Sequence, residues 1–91
     1  GVKDGQSISL KSIYPNPASA ITCIPVESFQ NEEVEVQLKN MLGQTVEVIF
    51  KGEIPSGEKN IFLFANNYNS GVYFVEIKTK AGNLSQKLII R

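Results

Sequence analysis

Glu33-Val34-Glu35-Val36-Gln37-Leu38-Lys39 alternates without a break: Val34, Val36 and Leu38 fall on one side of an extended chain, Glu35, Gln37 and Lys39 on the other. Successive side chains of a strand point to opposite faces, so this run predicts a strand with one buried face and one wet face. Outward from it, six more short runs bounded by Gly, Pro, Asn or Ser predict strands over residues 7–14, 21–26, 45–50, 59–64, 72–79 and 84–90. In the sixth run Tyr73, Val75, Ile77 and Thr79 share a parity, and they are better core candidates than the opposite parity, which ends in Glu76 and Lys78. The choice of apolar residue agrees: eight Val, ten Ile, five Phe and three Tyr stand against six Leu and four Ala, a balance that favours strands. No stretch of helical period competes, and there is no internal repeat.

Ninety-one residues supply one hydrophobic core and not two, and 42% apolar with 20% charged residues is ordinary globular composition. Short strands separated by turn signals read as an all-β fold, a seven-stranded antiparallel immunoglobulin-like β-sandwich. The expected interior is Val34, Val36, Leu38, Val46, Val48, Ile61, Leu63, Tyr73, Val75, Ile77, Leu88 and Ile90. Nine Lys and Arg balance nine Asp and Glu with neither sign in a block, so nothing favours nucleic acid or an anionic membrane as partner. No apolar run approaches the ~18 residues of a membrane-spanning segment, and membrane insertion is not expected. The opening residues Gly1-Val2-Lys3-Asp4-Gly5 have no signal-peptide pattern, which places any export signal upstream on a longer precursor.

Chemistry is poorly provided for. Histidine is absent, and Asp4 and Cys23 are each the sole residue of their type. A catalytic thiol wants a base, and none is offered, so the expectation is no enzyme, no catalytic residue, no cofactor and no metal. Glu32-Glu33-x-Glu35 lacks the alternating oxygen ligands and turn glycine of a calcium loop and reads as a solvated strand entrance. With Thr22, Ile24 and Val26 facing inward, Cys23 would face out, but Ile21 shares its parity, so its burial stays open. A lone cysteine is either a bystander or pairs between chains. Asn83-Leu84-Ser85 fits a glycosylation tripeptide, a frequent chance match.

The turns are legible. Leu42-Gly43-Gln44 and Lys80-Ala81-Gly82-Asn83 each place a glycine between alternating runs, which fits tight hairpins and antiparallel neighbours. Pro55-Ser56-Gly57 makes a similar reversal. In Tyr14-Pro15-Asn16-Pro17 each proline drives its predecessor out of the α region and cannot donate to a ladder. A first strand can end at such a bend and its chain cross to the opposite sheet.

Four segments together resemble a known family: Ile13-Tyr14-Pro15-Asn16-Pro17-Ala18, Val36-x-Leu38-x-x-x-Leu42-Gly43-Gln44-x-Val46, Ser70-Gly71-Val72-Tyr73-Phe74-Val75-x-Ile77 and Lys87-Leu88-Ile89-Ile90-Arg91. In order and spacing, over residues 8–91, they look like the type A C-terminal sorting domain of the type IX secretion system. The Leu-Gly-Gln turn is also similar to the immunoglobulin-like domain of flagellar hook-capping proteins. Those tend to carry Trp-Asp-Gly before the Gly-x-Tyr strand, whereas this chain has Phe64-Ala65-Asn66-Asn67-Tyr68-Asn69 there and no tryptophan.

The resemblance implies an address rather than a chemistry. Its bearer would cross the inner membrane of a Gram-negative bacterium, fold in the periplasm, and be carried over the outer membrane by translocon components that recognise this domain. A sortase-like surface protease would then remove it, leaving the covalently attached upstream cargo released or joined to an anionic lipopolysaccharide. Residues 1–6 would be a linker remnant and 7–91 the sorting domain. By resemblance the sorting residues are Tyr14, Pro15, Asn16, Pro17, Gly43, Gly71, Tyr73, Lys87, Leu88, Ile90 and Arg91. Each also has a plainer structural reading. Tyr73 occupies the place of the tyrosine whose hydroxyl bonds back to the preceding corner of immunoglobulin-like sandwiches. Gly71 would keep a side chain from crowding the entering loop, and Lys87 and Arg91 would flank a solvated strand edge. The alternative is an adhesion or spacer module, with Phe62, Phe64, Tyr68 and Phe74 as carbohydrate-stacking rings. A reading frame running past Arg91 would count against the sorting reading.

Overall fold

The computed structural model describes residues 8–91. The linker assigned to residues 1–6, like Asp4, lies outside them. The described chain forms β1 (Ile8–Leu10), β2 (Ile21–Ser28), β3 (Glu32–Asn40), β4 (Thr45–Ile54), β5 (Gly57–Phe64), β6 (Gly71–Thr79) and β7 (Gly82–Ile90). They make two sheets, ordered β1-β2-β5 and β4-β3-β6-β7. All strand pairs are antiparallel. One 3-10 turn, Ala65–Asn67, is the departure from all-β structure among the described residues.

Alternation does the sorting that the sequence predicts. Val34, Val36 and Leu38 of β3 and Val75 and Ile77 of β6 turn inward and are buried, meeting Ile24 and Val26 of β2 and Ile61 and Leu63 of β5 from the other sheet. Each large side chain so buried contributes roughly 1.5–3 kcal/mol. Ile8, Ile13, Ala18, Ile54 and Ala65 complete the core, outside the expected interior.

Two expected core residues are misplaced. Val46 and Val48 are 43% and 44% exposed. The reason is a pair of β-bulges in β4. Val36 pairs with Phe50 but the next residue, Gln37, pairs with Val48, leaving Ile49 extra; Leu38 pairs with Glu47 and Lys39 with Thr45, leaving Val46 extra. An extra residue reverses the parity of everything beyond it. Phe50 and Ile54 therefore keep to the core side while Val48 joins Gln37 on the outer face.

The first strand is shorter than its apolar run. β1 stops at Leu10, after which the Lys11 N–H still donates to the Pro25 carbonyl (2.9 Å) and the chain departs. Pro25 is tolerated in the central strand because its missing N–H faces the side where β1 has ended. Pro55-Ser56-Gly57 is not a hairpin turn, since β4 and β5 belong to different sheets. It is a corner, with the Ser56 N–H held by the Asn31 side chain at 3.1 Å.

Candidate functional site

Residues 11–18 form a strap from the edge of the three-stranded sheet to that of the four-stranded one. Tyr14 exchanges backbone hydrogen bonds with Cys23 of β2 (3.1 and 2.8 Å). Four residues on, Ala18 makes a parallel bridge to β7, its N–H donating to the Ile89 carbonyl and its carbonyl accepting from Arg91 N–H, both at 2.8 Å. This is the crossing that the two prolines predict; both X-Pro peptide bonds are cis. Between these anchors the Asn16 side chain lies along the rim of β7. Its Nδ2 donates to the Lys87 carbonyl and its Oδ1 accepts from the Ile89 N–H, both at 2.9 Å. Gln86 answers from β7, accepting from Ile13 N–H (2.7 Å) and donating to the Lys11 carbonyl (3.1 Å). The Thr22 hydroxyl, fully buried, donates to the Pro15 carbonyl at 2.7 Å. Strap and last strand, some seventy residues apart in sequence, are one unit.

The register brings the other motifs to the same end of the four-stranded sheet. Gly71 pairs with Ile90, Tyr73 with Leu88 on one side and Asn40 on the other, and the Gly43 turn follows Asn40 directly. Gly43 has φ of +82°, the left-handed region that glycine enters freely. The Asn40 side chain builds this turn by accepting from the N–H groups of Leu42 (2.9 Å) and Gln44 (3.0 Å), a role that asparagine commonly takes in turns. Tyr73 is buried, and its hydroxyl donates to the Asn69 carbonyl at 2.6 Å, the corner bond expected of it. Its ring meets Tyr68 edge to face, with centroids 6.4 Å apart. Crowding does not account for Gly71, because an added Cβ would meet only a Tyr73 ring carbon at 3.8 Å, an ordinary contact.

The candidate residues thus divide into two kinds. Tyr73, Leu88 and Ile90 are buried, so in the folded domain they pack and present nothing to a partner. Tyr14, Pro15, Asn16, Pro17, Gly43, Gly71, Lys87 and Arg91 are exposed at or near one end. Neither Lys87 nor Arg91 has an ion-pair partner among the described residues, whereas Lys11 reaches Glu27 and Glu58 (3.2 and 3.6 Å) and Lys39 reaches Glu76 (2.6 Å). The clamping by Asn16 and Gln86 and the turn-building by Asn40 go unread in the sequence, although an asparagine three residues before a turn glycine, as in Asn40-Met41-Leu42-Gly43, is itself a turn signal.

Cys23 faces outward, as the parity of its neighbours requires, yet it is only 5% exposed. Its strand neighbours on that face are Tyr14 and Phe62. A hydrogen bond with the Cys23 side chain, and the charge that thiol would carry, hold the Tyr14 hydroxyl above its ordinary pKa. The four rings of the adhesion alternative do not share a platform. Phe62 and Phe64 stand exposed on the outer face of the three-stranded sheet, while Phe74 lies between Lys39 and Lys87 on the other sheet. Tyr68 is half-buried, its hydroxyl donating to Glu47 Oε1.

Together these features define a small antiparallel β-sandwich whose motif residues converge on one end. The chain matches the family described as the Secretion system C-terminal sorting domain over residues 12–91, nearly its whole length, and it belongs to that family. No curated protein matches it. This is a sorting-signal family of type IX secretion and not an enzyme family. The domain marks its bearer as cargo of that machinery, for export to the surface of a Gram-negative cell or beyond it.

Proposed function

We propose that this domain folds in the periplasm, is taken up by outer-membrane translocon components of the type IX system, and is then cut from its cargo by a sortase-like surface protease. Residues 1–6 serve as the linker in which the cut falls, and residues 7–91 are the sorting domain. The supporting observation is the convergence of all four motifs on one end of the sandwich, with Lys87 and Arg91 exposed there and unpaired among the described residues. The translocon reads this end, and the buried Tyr73, Leu88 and Ile90 hold its shape. The test is a secreted reporter joined ahead of residues 1–91. Replacing Lys87 and Arg91 by Ala leaves the apolar burial untouched and changes stability by less than about 1 kcal/mol. The unaltered reporter is expected at the surface without the domain; the Lys87→Ala/Arg91→Ala reporter is expected in the periplasm, folded and uncut. Normal surface delivery of the altered precursor, at unchanged melting temperature, would show these side chains to be only a strand edge.

A further inference from the structure

The outer rim of β7 is already occupied at its C-terminal end. In a strand at the edge of a sheet, the outward backbone groups are a template for a partner's strand. Here four successive groups are taken by the protein itself: the Lys87 carbonyl and the Ile89 N–H by Asn16, the Ile89 carbonyl and the Arg91 N–H by Ala18. What the end of β7 still offers is its side chains. Leu88 and Ile90 are buried, so the outward parity is Lys87, Ile89 and Arg91, a cation, a partly exposed aliphatic group and a second cation in a row. Beside them on β6, Phe74 pairs with Lys87 and Val72 with Ile89, both partly exposed. The result is an apolar strip bracketed by two positive charges that lack partners among the described residues.

We infer that the partner does not add a strand to β7 but reads Lys87, Ile89 and Arg91 as a rigid side-chain pattern, through a protein surface that is apolar at its centre and carries a carboxylate on each side. Asn16 is then a positioning residue, which seals the rim and fixes the spacing of the two cations. Charge complementarity commits the proposal to an acidic protein surface. The inference rests on the sorting reading and adds to it the mode of recognition. It separates two mechanisms of opposite sign, because loosening Asn16 would assist strand addition and would blur a side-chain pattern.

The experiment uses the same reporter in type IX-competent cells, with surface delivery as readout and the melting temperature of each purified domain as control. Lys87→Glu with Arg91→Glu is expected to lower delivery about tenfold or more at unchanged melting temperature, while Lys87→Arg with Arg91→Lys keeps it. Asn16→Ala is expected to speed hydrogen exchange at the Ile89 amide and to lower delivery a few-fold, about the effect of loosening a pre-organised contact. Delivery that survives charge reversal, or that rises in Asn16→Ala, overturns the proposal. So does charge-dependent binding of the purified domain to phosphatidylglycerol vesicles equal to its loss in delivery, which would make a lipid surface the reader. A reporter that stays inside the cell even with the unaltered sequence overturns the sorting reading itself, and this proposal with it.

Discussion

The four-stranded sheet has two edges, β7 and β4, and they are protected in opposite ways. The edge at β7 is regular, and it is covered from Lys87 onward: the strap supplies backbone and an asparagine amide to the outward groups there, and β7 keeps an unbroken register with β6 from Gly71–Ile90 to Thr79–Gly82. The edge at β4 is open and bent. Two bulges interrupt it, its residues from Thr45 to Val48 are all exposed, and no strand lies beyond it among the described residues. Both devices keep an edge from pairing with a stranger. Only the covered one also fixes geometry, since an edge held by specific hydrogen bonds keeps its side chains in register while a bulged edge gives up local order. The motif residues of the last strand sit on the covered edge.

The comparison can be broken first in the core behind it. Leu88 is fully buried on the covered edge, and Leu88→Ala should cost about 2–5 kcal/mol, a large part of the stability of so small a domain. Urea denaturation would show it as a lower midpoint, and a loss below about 1 kcal/mol would mean that β7 is not held as described.

A smaller effect belongs to the open edge, where the Tyr68 hydroxyl meets Glu47 of β4. Burial first, then the hydrogen bond and the negative charge of Glu47, push the Tyr68 pKa up from 10.0 to about 12. The folded state therefore keeps a proton that the unfolded chain releases near its ordinary pKa. The contribution is whole below pH about 10 and is lost as pH rises toward about 12. Stability measured across that window should fall less steeply in Tyr68→Phe than in the unaltered protein; identical slopes would remove Tyr68 from the account.

The smallest effect expected is Val48→Thr, because Val48 is 44% exposed on a bulged edge. Its cost should lie within about 0.5 kcal/mol. A loss of several times that in thermal melts would restore Val48 to the core and erase the contrast between the edges.

Much of this was legible before any coordinates. Alternation in Val34-Val36-Leu38 and Tyr73-Val75-Ile77, glycine at the hairpins and proline at the strap point to the strands, their inward faces and the sheet crossing, because period and turn chemistry are local properties. The corner bond of Tyr73 was foreseeable for the same reason, its acceptor lying only four residues back. Val46 and Val48 were misread because a bulge leaves no mark in an alternating run; only the partner strand reveals that one residue has been skipped.

Composition and local pattern by themselves determined an all-β sandwich, and the four motifs determined the family. Tertiary structure alone decided which strand edge is sealed, since the groups that seal β7 come from residues 16 and 18, more than seventy positions away along the chain. It decided also that Lys87 and Arg91 are exposed, without an ion-pair partner among the described residues, while Leu88 and Ile90 fill the core. Side-chain direction along a strand has a fixed period, but which parity meets solvent, and which backbone groups are already taken, depends on what the fold lays against that strand.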